Sequence, residues 1–325
     1  MDNQSILDTI DPELVERVAT RRAEIENGSP ARSGIVAALA LGSVPIALAA
    51  LSTDLFGQST LPPQIKAVLD FALALEIFEN EFYKAVLGTS ASAAQNAAFA
   101  PVRTLAAAVP GAVNTIQQIQ KHETAHVATL LATGATNVFN LDENSFDFTG
   151  NRSATGGGPF AKATTDLAFL LEVAQGAEDT GVRAYKGQAG NLITNSAILE
   201  AALRIHSVEA RHASRIRRMR RGAAAAPATV RYSGTVRGGG AAAAGGTDLG
   251  PNPAAVTAAF DKIYGAGANP TTAPSESNTV HAGVDVLTLS GAQFGPEAAQ
   301  EAFDEPLDRP DVVAIVQPFF IPTIS

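Results

Sequence analysis

Two stretches, KHETAHVATLL at residues 121–131 and SVEARHASRIR at residues 207–217, decide the fold. Each sets a glutamate three residues before a histidine: Glu123 and His126 in the first, Glu209 and His212 in the second. Residues i and i+3 lie on one side of an α-helix about a turn apart, so both side chains of a stretch can reach one point. Working outward, LDFALALEIFENEFY at 69–83 precedes the first stretch and AEDTGVRAY at 177–185 precedes the second. They carry Glu76 seven residues before Tyr83 and Glu178 seven residues before Tyr185. Seven residues is nearly two turns, so each tyrosine shares the face of its glutamate. The order Glu…Tyr, Glu-x-x-His is thus written twice, as an internal repeat of two helical hairpins.

The surrounding pattern predicts four long helices. From Gln64 to Leu87, the apolar residues Val68, Leu69, Ala72, Leu75, Phe82, Tyr83 and Val86 recur at helical spacing, and Gly88 is placed to cap the end. A broken helical stretch at 92–108 stops at Pro110-Gly111, and a second long helix is expected from Ala112 to Thr133, closed by Gly134. Residues 135–161 read as loop. A third helix is expected from Lys162 to Lys186, ended by Gly187, and a fourth from Leu192 to Arg221. The second-to-third connection is long enough to run the length of a bundle, and the third-to-fourth is short. The fold class is therefore all-α: a four-helix bundle over 61–222 with a long crossover between its second and third helices. An N-terminal region, 1–60, and a C-terminal extension, 223–325, flank it.

A glutamate on an apolar helical stripe is costly unless something neutralises it. Four converging carboxylates repel unless cations hold them together. Two divalent ions balance four carboxylates, with two imidazoles completing the donor set. The chain has no cysteine, which excludes disulfides, thiolate metal sites and cysteine nucleophiles, so any metal is bound by oxygen and imidazole nitrogen.

These four segments resemble the ferritin-like di-iron carboxylate superfamily, closest to the bacterial and plant ferritin-like family that includes desiccation-related proteins. The likeness covers about residues 64–221. It implies that Glu76, Glu123, His126, Glu178, Glu209 and His212 are metal ligands, with Glu123 and Glu209 bridging two ions. It implies iron in both positions, with manganese as the other oxygen-preferring metal. It also implies redox chemistry toward O2, H2O2 or Fe(II), as a di-iron oxidase or ferroxidase in stress protection. Tyr83 and Tyr185 are the candidate catalytic-site residues beside the ligands, read as hydrogen-bond donors or plain core residues rather than redox-active tyrosines. A reading of another class is a structural or assembly module linked to stress or desiccation, its metal stabilising the fold or vestigial.

A third reading uses His122, because His122-Glu123-Thr124-Ala125-His126 fits the H-E-x-x-H pattern of zinc metallopeptidases. It would make Glu123 a general base, but leaves the second Glu-x-x-His and the glutamates of the first and third helices unexplained. His122 is then expected behind a ligand or on the surface. Glu79 crowds the Glu76 face, and Gly176 and Gly181 are expected to loosen the third helix. The arginines 211, 215, 217, 218, 220 and 221 read as a solvated helix terminus complementing the dipole, with an anionic partner such as lipid headgroups or nucleic acid as the other reading.

The formal charge of −9 argues against nucleic acid as a partner. No Gly-rich phosphate loop follows a strand, and no nucleophilic triad is apparent. From Ser33 to Thr53 no residue is charged, and Arg21, Arg22 and Arg32 precede this apolar run. It reads as an export signal or membrane anchor and equally as a buried or interface helix, so a periplasmic or membrane-associated location stands beside a cytoplasmic one. Residues 223–253 are rich in Ala, Gly and Pro and read as a flexible arm. The apolar end, VVAIVQPFFIPTIS, is expected to pack on the bundle or on a neighbouring subunit. Homo-oligomer formation or assembly through the terminal extensions is the expected macromolecular contact.

Overall fold

The computed structural model describes residues 61–153, 156–222, 252–264, 276, 278–281, 283–289 and 303–324, the side chains of 221 and 222 excepted. All belong to one compact unit, Leu61–Ser325. The N-terminal helix and apolar segment read from the sequence, and most of the Gly/Ala arm, lie outside the described residues. The helices are α1 (Pro63–Leu87), α2 (Ala93–Ala98), α3 (Ala100–Ala107), α4 (Ala112–Ala132), α5 (Leu167–Gln188), α6 (Ser196–Gly222), α7 (Ala254–Tyr264) and α8 (Arg309–Val316). A two-residue hairpin pairs β1 (Val280–His281) with β2 (Val284–Asp285). No described helix is long and apolar enough to cross a membrane.

Hydrogen bonds between side chains fix the direction of the four long helices. Asn80 of α1 accepts from Gln120 and Thr124 of α4, whereas Asp70, earlier in α1, accepts from the amide of Thr136 beyond the end of α4. Rising numbers in one helix thus meet falling numbers in the other, and the pair is antiparallel. The same test makes α5 and α6 antiparallel, since Glu178 meets His212 and Gln175 meets Arg220. It also makes α1 and α5 antiparallel, since Tyr83 meets Glu178 and Tyr185 meets Glu76. Hence α4 and α5 run parallel, and the connection 133–166 must travel the length of the bundle, as the sequence indicates.

Helix boundaries differ from the sequence reading where polar side chains cap the chain. Gly88 does end α1 in the left-handed conformation, at φ 78°. The third bundle helix starts at Leu167 rather than Lys162, because the Asp166 carboxylate accepts the Phe169 amide at 3.0 Å; a single 3₁₀ turn, Ala161–Thr164, precedes it. Likewise Asn195 accepts the Ile198 amide at 3.1 Å, so α6 begins at Ser196 and Leu192 falls in a 3₁₀ turn. Gly187 does not stop α5. It lies inside the helix, and a Cβ there would collide with the carbonyl oxygen of Leu307, so the glycine serves close approach of a later segment.

That later segment belongs to the C-terminal extension, whose described residues 252–264 and 303–324 pack against the bundle. Phe320 is fully buried and lies 5.4 Å, ring to ring, from Phe78 of α1. The crossover supplies Phe146, Phe148 and Phe160 to the same aromatic cluster, and Phe146 bridges to Phe320. Arg183 of α5 is the clamp. Its guanidinium donates to the carbonyls of Ile263 and Glu305 and pairs with Glu276 at 3.0 Å, both partners of that pair being wholly buried. Gly176 likewise admits the ring of Phe260, whose Cε1 would be 2.9 Å from an added Cβ, so it accommodates α7 instead of loosening α5.

The arginine-rich end of α6 is only partly a solvated terminus. Arg217 and Arg220 are buried, Arg217 on Asp179 at 3.0 Å and Arg220 on Gln175 at 2.7 Å. Tyr264 of α7 donates to the same Asp179 at 2.8 Å. The helix therefore turns those two cations inward, where the Asp179 carboxylate pairs with Arg217 and the Gln175 amide oxygen accepts from Arg220.

Candidate metal centre

The antiparallel pairing places the midpoints of α1, α4, α5 and α6 at one level. There the structure brings Glu76, Glu123, His126 and Glu209 into one group of donor atoms, and Glu123, Glu178, Glu209 and His212 into another. Within each group one donor atom per residue lies within 4.8 Å of all the others. Glu123 and Glu209 belong to both groups, while each remaining glutamate–histidine pair belongs to one. No member is more than 6 % exposed.

Three carboxylate oxygens, from Glu76, Glu123 and Glu209, surround His126 Nδ1, each at 3.0 Å. His212 Nδ1 faces Glu123 Oε1 at 2.9 Å and Glu178 Oε2 at 3.2 Å. One ring N–H cannot serve three acceptors. Accordingly Glu123 Oε1 and Glu209 Oε1, though close to imidazole nitrogens, are buried without a hydrogen bond, as is Glu209 Oε2. Oxygen and nitrogen atoms about 3 Å apart around a common point are spaced as neighbours in a coordination shell with bonds of about 2.1 Å. Buried acceptors left unpaired are the lone pairs that a cation would take. The donor set contains only carboxylate oxygen and imidazole nitrogen, which suits first-row divalent ions. The residues present fit metal ions.

The two tyrosines orient the outer glutamates across the hairpins. Tyr83 donates to Glu178 Oε1, and Tyr185 donates to Glu76 Oε1 at 2.5 Å. Each tyrosine thus serves the glutamate of the other hairpin, and the second oxygen of each carboxylate is the one turned toward a histidine. Burial, then the adjoining glutamate, pushes both phenols well above their ordinary pKa, so they keep the protons they donate.

Glu79 is a fifth buried carboxylate at this level, 4 % exposed. Its counterpart in the second hairpin, three residues after Glu178, is Gly181. A Cβ at Gly181 would stand 3.2 Å from Glu209 Oε2 and 3.5 Å from Glu79 Oε1, so the glycine makes room for both carboxylates. The sequence flags the crowding of Glu79 but not this complementarity, whose only written sign is the broken repeat.

His122 belongs to neither donor group. Its Nδ1 lies 2.8 Å from His212 Nε2, on the side of that ring away from the carboxylates, and its own side chain is exposed. His122 and His126 therefore do not share a metal position, and the zinc-peptidase arrangement is not formed. His206, as its spacing suggests, points elsewhere, with Nδ1 3.0 Å from the carbonyl of Val182.

Without a cation, protons must balance this cluster. Burial drives Glu76 up to about 7 against the pull of His126, and burial with neighbouring carboxylates drives Glu79 and Glu209 well above the ordinary value. Burial would also raise Glu123, but His126 and His212 outweigh it and hold that carboxyl low. Burial lowers His212, and Glu178 and Glu123 more than reverse this, to about 11. A raised pKa means that the folded chain binds protons the unfolded chain has released. The associated stability is therefore full below the unfolded value and is lost as pH rises through the folded one. For Glu76 that window runs from 4.5 to about 7, and Glu79, Glu209 and His212 act in the same direction. Chelated protein is thus expected to melt at lower temperature at about pH 7 than at about pH 5. The increment from added metal should widen over the same range, because binding displaces those protons. Calorimetry with and without chelator checks this; a chelated melting point that rises with pH would contradict it.

A bundle of two antiparallel hairpins, with buried glutamates and histidines meeting at its middle, is the architecture of ferritin-like proteins. The family model of the ferritin-like domain matches residues 65–221, and these residues form a ferritin-like domain. No curated protein and no solved structure matches the chain.

Proposed function

We propose that the chain is a di-metal carboxylate protein of stress protection, akin to the desiccation-related ferritin-like proteins, and that it reacts with O2 or H2O2, with Fe(II) as metal and reductant. The observation that carries this reading is the sharing of Glu123 and Glu209 between two otherwise separate donor groups. Glu76 with His126 would hold one ion, Glu178 with His212 the other, and Glu123 and Glu209 would lie between them. A pair of iron ions held there supplies electrons to a bound oxidant. Manganese fits the same donors.

The chain's own residues do the rest. The two tyrosines fix one oxygen of Glu178 and of Glu76, leaving the other oxygen as donor. Burial of the six donors excludes bulk water, which strengthens their hold on cations. Glu79, beside the cluster and raised by burial, can hold or release a proton as the charge of the centre changes.

Anaerobic loading with Fe(II), followed by air, tests the proposal. The expected result is about two iron per chain, oxo-bridged ferric absorption and O2 uptake that continues when more Fe(II) is supplied. Binding without repeated turnover would leave the metal a structural part of the bundle.

A further inference from the structure

The repeat of the two hairpins is broken at one place on the surface side of the cluster. His122 stands four residues before His126, and the corresponding position before His212 is Val208. Only His212 is therefore backed by a second imidazole, and that imidazole is exposed. Every one of the six donor residues is buried, so His122–His212 is a two-ring path from solvent to the centre.

The surface around His122 is cationic in a chain whose formal charge is −9. Lys121 of α4 and Arg211, Arg215 and Arg218 of α6 are exposed, and none forms an ion pair among the described residues. Arg211 is close enough to act on His122 electrostatically. Arg215 bonds Thr115 of α4 at 3.0 Å, which holds it across the α4–α6 seam. The acids of these helices do not offset the charge: Glu123 and Glu209 are buried, and Glu200 is paired with Arg204 at 2.5 Å. Between Arg215, Arg218 and the start of α4 lies a cavity of about 180 Å³, room for a carboxylate side chain. From Arg211 to Arg218 the stripe runs about 10 Å along α6, longer than a small reductant.

We propose that the α4–α6 seam around His122 docks an acidic protein bearing a one-electron carrier, and that the His122–His212 hydrogen bond conducts its electron to the metal centre. This rests on the di-metal reading above. In each encounter the carrier is oxidised by one electron and one ion of the centre is reduced by one. No bond is made or broken, and two encounters return both ions to the reduced state.

The test uses the full-length protein and a reduced, acidic [2Fe–2S] ferredoxin as probe, with the methyl viologen radical cation and ascorbate as comparison donors. Reduction of the air-oxidised centre is followed by stopped flow. Binding of the ferredoxin to the protein before metal loading is followed by calorimetry. The ferredoxin rate should fall about tenfold or more between about 20 mM and about 500 mM salt, while the viologen rate should not fall. The combined Arg211→Gln, Arg215→Gln, Arg218→Gln variant should weaken ferredoxin binding about tenfold. His122→Val, which copies position 208, should weaken binding far less than the arginine variant does yet slow reduction of the bound complex, and His122→Gln, still able to accept the His212 N–H, should recover part of the rate. Equal reduction of all variants by ferredoxin overturns the proposal while leaving the di-metal reading intact. Ascorbate matching the ferredoxin in rate and arginine dependence overturns the protein partner. A parent chain that binds ferredoxin but no metal overturns the di-metal reading, and this proposal with it.

Discussion

The double variant Glu123→Ala, Glu209→Ala is expected to lose essentially all bound metal, falling from about two ions per chain to near none. Each donor group has four members, and this change removes the same two from both. What is left to each ion is one glutamate and one histidine, too few to displace water from a divalent cation. Single changes at unshared positions should behave differently. Glu76→Ala removes a donor from one group only, so about one ion should go and the other persist. Plasma mass spectrometry gives the stoichiometry, and thermal melts give an independent reading. Added metal raises the melting point of a protein that binds it only when folded, so the parent should respond and the double variant should not. Unchanged metal content in the double variant would falsify the assignment of these donors.

The second large effect lies outside the cluster. Arg183→Met should cost about 3–5 kcal/mol of stability, the range for breaking a buried ion pair by removing one partner. The substitution keeps an apolar stem but removes the cation paired with Glu276, which is wholly buried, and leaves the Ile263 and Glu305 carbonyls without the guanidinium. Because these partners come from three separate parts of the C-terminal extension, the loss should be felt there first. Limited proteolysis should cut the extension faster in the variant than in the parent, alongside a lower denaturation midpoint. Equal protease resistance and an unshifted midpoint would show that the aromatic cluster alone holds the extension.

Much of the bundle was legible because its physics is local. Helical periodicity, the capping glycine at 88 and the i, i+3 spacing of Glu123–His126 and Glu209–His212 depend on residues within a turn or two of each other. The long crossover was legible from length alone. Boundaries set by Asp166 and Asn195 were missed because an N-cap competes with helix propensity through one side-chain hydrogen bond, which periodicity does not register.

Short-range spacing alone establishes that each half of the bundle carries a carboxylate–imidazole pair and an upstream Glu–Tyr helix, and from it an oxygen- and nitrogen-lined core is expected. Packing between the helices set which of these side chains meet. It put Glu123 and Glu209 in both donor groups, crossed each tyrosine to the opposite hairpin, fitted Glu79 against Gly181, set His122 behind His212, and turned Arg183 and Arg217 inward. Those outcomes depend on how helices distant in sequence are spaced and rotated against one another, and no short-range pattern encodes that distance and angle.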